Sequence, residues 1–312
     1  MELVLLNQKY MQTVSVIAIG SVALAAAAAN QAHAQDDGFS LTFQGGIGDL
    51  SGGFQSGGGT DGQTPDLGQF GAITLSRSYG SVDASMSLSY YNQASKEFGS
   101  GYSSGFSSGG TDYQDTGQAF SGNDTSYSTL DLTVAMRSAA SPRLQWLAGM
   151  RFMDYSHAGY SGFEGTVTAS GGGSGPSGGP TVGPYGVTVR AQTEFVGIGP
   201  RFGARYSTGR IGSSNFGLTG EAGASLMYGR VEERENVSFF SGGGTPVSFG
   251  SGFSEMKFVS NVDLSLQANY YLSDASRMFI AWESQQMLNL SDIGFGSDAR
   301  TQTISLGFTT EF

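Results

Sequence analysis

Charged residues recur at alternate positions along this chain, so that a strand's two-residue period would turn most of them to one face. The cations are Arg77, Arg137, Arg151, Arg201, Arg205, Lys257 and Arg277. The acids are Asp83, Asp131, Glu194, Glu221, Asp263, Glu283 and Glu311. Opposite charges gathered on one buried face can pair and brace an interior, because a lone buried charge is costly. They can also polarise a narrow water path for small solutes, or line a closed ligand cavity. All three readings stay open on the residues alone. Acid–base chemistry has little material. His157, near Asp154 and Ser156, is the one imidazole after residue 35 and is expected as a solvated residue at the start of a loop. With 0 Cys there is no thiol nucleophile, disulfide or thiolate metal site. Asp49 and Asp61-Gly62 lack EF-hand spacing, and the Gly-rich stretch 171–179 is followed by no Lys or helix. No enzyme activity, cofactor or metal is expected.

The elements that would position these charges read as strands. Val82, Ala84, Met86, Leu88 and Tyr90 alternate with Asp83, Ser85, Ser87 and Ser89. Leu130, Leu132, Val134 and Met136 alternate with Asp131, Thr133 and Arg137, and Val262, Leu264 and Leu266 with Asp263 and Gln267. Ten such segments are expected, with 8 or 12 as alternatives. Two are irregular. Arg77 interrupts the apolar phase of 67–78. Residues 187–206 switch phase, from Val187, Val189, Ala191 and Phe195 to Ile198, Phe202, Ala204 and Tyr206, which predicts a bulge near Gly197. Short turns are expected near 79–81, 139–142, 207–215 and 272–276. Long Gly/Ser-rich loops are expected at 49–66, 92–124, 156–186, 230–254 and 288–299, and they hold nearly all of the net charge of −11.

Short and long connections alternate, as in a closed antiparallel transmembrane β-barrel with its long loops outside. An apolar-and-polar ribbon crossing lipid must close on itself, since an open edge would leave backbone groups unpaired there. A soluble β-sandwich is the competing architecture, but the polar phases are rich in Ser, Thr and Gln, with few of the Lys/Glu pairs that solvate an outer face. Residues 1–34, with an apolar run from Val14 to Ala29 and Ala32-His33-Ala34, read as a secretory signal peptide. That leaves 35–312 as one all-β barrel domain. The acidic balance argues against nucleic acid as a partner.

The ending Ile304-Ser305-Leu306-Gly307-Phe308-Thr309-Thr310-Glu311-Phe312 resembles the C-terminal strand signal of Gram-negative outer-membrane proteins. That resemblance implies recognition by the barrel-assembly machinery through Phe312. The stretches 195–206, with Gly199-Pro200-Arg201, and 215–229, ending Leu226-Met227-Tyr228-Gly229, resemble the pore-forming family typified by the Legionella major outer membrane protein. It implies an outer-membrane location and a porin-like role: passive diffusion of small polar solutes or ions through a narrow charged lumen. A non-conducting surface barrel acting through its Gly/Ser-rich loops is the alternative. Contacts with outer-membrane lipid and lipopolysaccharide follow from the same location. The lack of Cys means that disulfide-linked assembly, found in some members, does not carry over.

Overall fold

The computed structural model describes residues 38–51, 67–79, 81–108, 111–139, 141–170, 183–242, 245–290 and 299–312. The expected signal peptide and the loop centres at 52–66, 171–182 and 291–298 lie outside the described residues. Ten strands are present: β1 (Phe39–Ser51), β2 (Gly68–Tyr79), β3 (Val82–Ser108), β4 (Thr111–Ser138), β5 (Ser141–Ser170), β6 (Gly183–Ser207), β7 (Phe216–Ser241), β8 (Val247–Tyr271), β9 (Ser276–Leu288) and β10 (Ala299–Glu311). Each pairs antiparallel with its sequence neighbours, and β1 pairs with β10 to close the barrel. Both chain ends of the barrel lie at the short-turn end, where the Phe312 N–H donates to the Phe39 carbonyl at 2.8 Å.

The apolar phase points outward. Leu264 and Leu266 are 41% and 55% exposed, while Asp263 beside them turns inward onto Arg151 and Arg201. Trp146, Phe202, Ile280 and Leu306 join them on the outer surface. In water this band would be an aggregation surface; in a bilayer it is the lipid-facing wall.

Strand length departs from expectation. A tilted strand needs about 9–11 residues to cross a bilayer, and β1, β2, β9 and β10 are 12 or 13 residues long. Strands β3 to β8 run to between 25 and 30 residues. The long loops expected at 92–124, 156–186 and 230–254 are therefore mostly continued strand, paired up to Ser108↔Thr111, Asp112↔Ser170 and Phe239↔Val247. These six strands rise past the lipid band as a curved crown on one side of the barrel mouth. The alternation that marks a membrane strand fades there because no hydrocarbon meets either face, although the backbone ladder continues.

The predicted bulge at Gly197 is absent. The β5–β6 register runs unbroken from Leu144↔Tyr206 to Val167↔Gly183, with Met153↔Gly197 inside it. Odd-numbered residues of β6 face inward throughout. The apolar residues change side because Phe195, Val189 and Val187 line the interior above the lipid level, whereas Ile198, Phe202 and Tyr206 face lipid below it. A register shift does occur between Phe98 and Gly101.

Candidate functional site

The interior is stacked in tiers. At the short-turn end a vestibule of about 880 Å³ is lined by Ser, Thr and Gln side chains together with Asp83, Arg137, Arg205, Arg277 and Glu311. Its inner end meets a connected charge cluster. The Arg151 guanidinium donates to both Asp131 oxygens, Nε at 2.7 Å and Nη2 at 2.6 Å. Its Nη1 reaches Asn261 Oδ1 at 2.8 Å and Asp263 Oδ1 at 2.9 Å. Arg201 Nη2 donates to Asp263 Oδ2 at 2.5 Å and Glu221 Oε1 at 2.8 Å. Arg205 donates to Glu221 Oε2 at 2.8 Å, and Glu283 accepts from Gln44 Nε2 at 2.8 Å. Both Arg151 and Arg201 are buried. Gly223 permits this approach, since a Cβ there would lie 2.6 Å from Asp263 Oδ2 and 2.9 Å from Arg201 Nη2. Guanidinium suits the role, as its planar fork of donors can serve several carboxylates at once.

Beyond the charges lies an apolar tier. Phe70, Tyr91, Tyr127, Met153, Tyr155, Phe195, Met227, Val231, Val259, Met287 and Ala299 form part of one contiguous buried cluster that draws on every strand from β2 to β10. Tyr91 Oη reaches the remaining strand by donating to the Gly48 carbonyl at 3.3 Å. Tyr91, Phe195, Met227, Val231 and Val259 have no exposed surface at all. These side chains fill the cross-section of the barrel, as expected of a barrel near the small end of the size range, where side chains fill the interior.

A polar girdle sits on top of this tier. Thr125 Oγ1 lies 2.7 Å from His157 Nδ1. His157 is buried, faces the interior, and stands opposite Thr193, which in turn stands opposite Glu233. Burial lowers its pKa below the usual imidazole value. The expected solvated loop histidine is thus an interior strand residue. Asp154 and Ser156 lie on the opposite face of β5 from His157, so the three do not converge.

Among the residues singled out by alternation, Asp83, Asp131, Arg137, Arg151, Arg201, Arg205, Glu221, Asp263, Arg277 and Glu283 face the lumen below the apolar tier. Lys257 also faces inward, but above that tier, with Nζ 3.5 Å from Glu255 Oε1. Two positions were misassigned. Arg77 points outward, its guanidinium 4.7 Å from the Phe39 ring centroid and 4.8 Å from that of Tyr79. It lies at the rim of the lipid band, where rings can satisfy a cation. Glu194 lies outside too, accepting from Gln192 Nε2 at 2.6 Å, because the β6 register has no bulge to turn it inward. The apolar tier was missed; its sequence signal was the phase switch at Phe195.

A family model described as Legionella pneumophila major outer membrane protein precursor matches residues 80–283. No curated protein matches the chain. Similar solved structures include the outer membrane protease OmpT from Escherichia coli, at 12% identity and a TM-score of 0.35, covering 90% of this chain and 99% of that one. Neisserial surface protein A follows at 9% and 0.33, covering 88% and 97%. A major outer membrane protein from Thermus thermophilus is similar at 13% and 0.29, covering 90% and 100%.

Proposed function

The chain belongs to the Legionella pneumophila major outer membrane protein family and resides in a Gram-negative outer membrane; on that premise, we propose that it is a sealed surface barrel that holds a β-sheet crown outside the cell. The fully buried apolar tier supports this reading most directly. A hydrated ion crossing it would shed water against Phe195, Met227 and Val259, which offer no polar replacement, and dry constrictions of this kind close pores. The charge cluster beneath is consistent with bracing, since its arginines spend their donors on carboxylates and amides of other strands.

Passive diffusion of small polar solutes is the second reading. It is favoured by one observation, the polar vestibule that extends from the short-turn end to Arg151 and Arg201. Planar-bilayer recording of the refolded chain separates the two. A sealed barrel gives no steps above the bare bilayer, while the double variant Phe195→Ala/Met227→Ala introduces them. Regular steps from the unmodified chain would overturn the sealed reading in favour of diffusion.

A further inference from the structure

On the interior-facing side of the β7–β8 hairpin, above the girdle, rings stand open to water. Phe249 is 64% exposed, and Phe239 and Phe253 are partly so. Phe239 and Phe249 meet edge to face with centroids 6.5 Å apart. Carboxylates are interleaved with them on the same face. The register sets Glu233 opposite Phe253 and Glu235 opposite Ser251, one pair short of Val237 opposite Phe249. Glu233 forms the floor; its residue is 8% exposed, and its Oε1 is buried without a hydrogen-bond partner among the described residues. The hairpin's arginines do not offset these charges, because Arg230 and Arg234 lie on the other face and bind Glu232. Among the described residues, the cation on the concave side is Lys257, placed beside Glu255.

We propose that this concave face binds organic cations carrying aromatic or alkyl groups. Ring faces attract a positive centre through their quadrupoles. Glu233 and Glu235 add Coulomb attraction that an anion would meet as repulsion, and the open rings supply apolar area that water leaves on binding. A purely apolar ligand would use the rings but gain nothing from a buried carboxylate oxygen lacking a donor. The site lies above the apolar tier, so the inference does not depend on whether the lumen conducts.

Tetraphenylphosphonium and tetraphenylborate are near-identical in shape and opposite in charge, and equilibrium dialysis against the full chain in lipid nanodiscs compares them. Uptake by empty nanodiscs of the same lipid is subtracted. The expected result is saturable binding of the phosphonium, with the borate weaker by about tenfold or more. Glu233→Gln and Glu235→Gln should each weaken phosphonium binding by about 3–10-fold, and Phe249→Leu, which keeps bulk but loses the ring, by a similar factor. Retention of the folded, fast-migrating band in unheated gels shows that each variant is still a barrel. Equal binding of the two ions would indicate a hydrophobe site and overturn the proposal. So would an undiminished affinity in the folded Glu233→Gln/Glu235→Gln double variant, or no binding above empty nanodiscs.

Discussion

The lipid-embedded part of the barrel and the crown above it share strands and register, yet their polarity is reversed. Along β5, Trp146, Met150 and Phe152 face out with Arg151 inside; farther along, Phe163 faces in and Glu164 out. On β6 the same exchange runs from Phe202 and Ile198 outside to Phe195 and Val187 inside. The hydrogen-bond ladder is indifferent to this exchange, because backbone pairing needs only a neighbour. What differs is the medium beyond the outer face. Hydrocarbon below forces polar groups to the axis, and water above lets rings gather on the concave side, where Tyr102 stacks on Phe163 at 5.5 Å and Tyr185 packs tilted against Phe163 at 5.7 Å. Asp115 ties this ring cluster by accepting from Tyr102 and Tyr185 at 2.9 and 2.7 Å.

The largest contrast should come from removing one arginine in each region. Arg201→Met leaves Asp263 and Glu221 facing each other in a buried site without their shared cation. Breaking such a pair costs about 3–5 kcal/mol, read as a fall in the unfolding midpoint in detergent. Arg234→Ala in the crown removes a cation that is half exposed in its pair with Glu232, and should cost under about 1 kcal/mol. Equal losses would mean that the lumen cluster is solvated like the surface, which undercuts its bracing role.

A smaller contrast comes from placing the same charge on each outer face. Leu264→Arg sets a guanidinium in the lipid wall and should cost about 2–4 kcal/mol near mid-bilayer. Thr188→Arg, on the convex side of the crown, should be close to neutral. A comparable penalty at Thr188 would mean that lipid extends higher than the reversal of polarity indicates.

The membrane half was legible in the sequence and the crown was not. Segments such as 82–90 and 258–270 alternate because each face meets a different medium, and that contrast is what periodicity reports. Residues 92–124 alternate weakly because Ser, Gly and Thr occur on both faces, and so their strands read as loop. Most of the lumen charges were legible for the same reason as the strands. Arg77 and Glu194 were not, since a rim cation held by rings and a crown acid break the rule at the margins of the band. The phase switch at 195–198 was visible, but a one-residue bulge and an unbroken strand that changes solvent produce the same pattern. Only pairing distinguishes them, and the pairing of Met153 with Gly197 is unbroken.

The girdle between the two regions should respond to pH, by the smallest margin. His157 is buried beside Thr125 with its Nε2 unpartnered among the described residues, and burial lowers its pKa. The unfolded chain, with imidazole near its ordinary value of about 6.5, then binds a proton at a higher pH than the folded barrel does. Stability is level above that value and falls as pH drops below it, with a slope of at most about 1.4 kcal/mol per pH unit from this group. Glu233, Glu255 and Lys257 face the same space; an imidazolium drawn toward the acids would soften the slope, and Lys257 would steepen it. The protection factors of the Thr125, His157 and Thr193 amides, taken against the pH-dependent intrinsic exchange rate, should therefore fall between about pH 7 and pH 5, while those of strand centres in the lipid band hold steady. His157→Gln, which keeps a polar side chain but cannot titrate, should remove most of that difference. If the fall in protection persists in His157→Gln, the acids of the crown carry the response and the girdle histidine is a bystander.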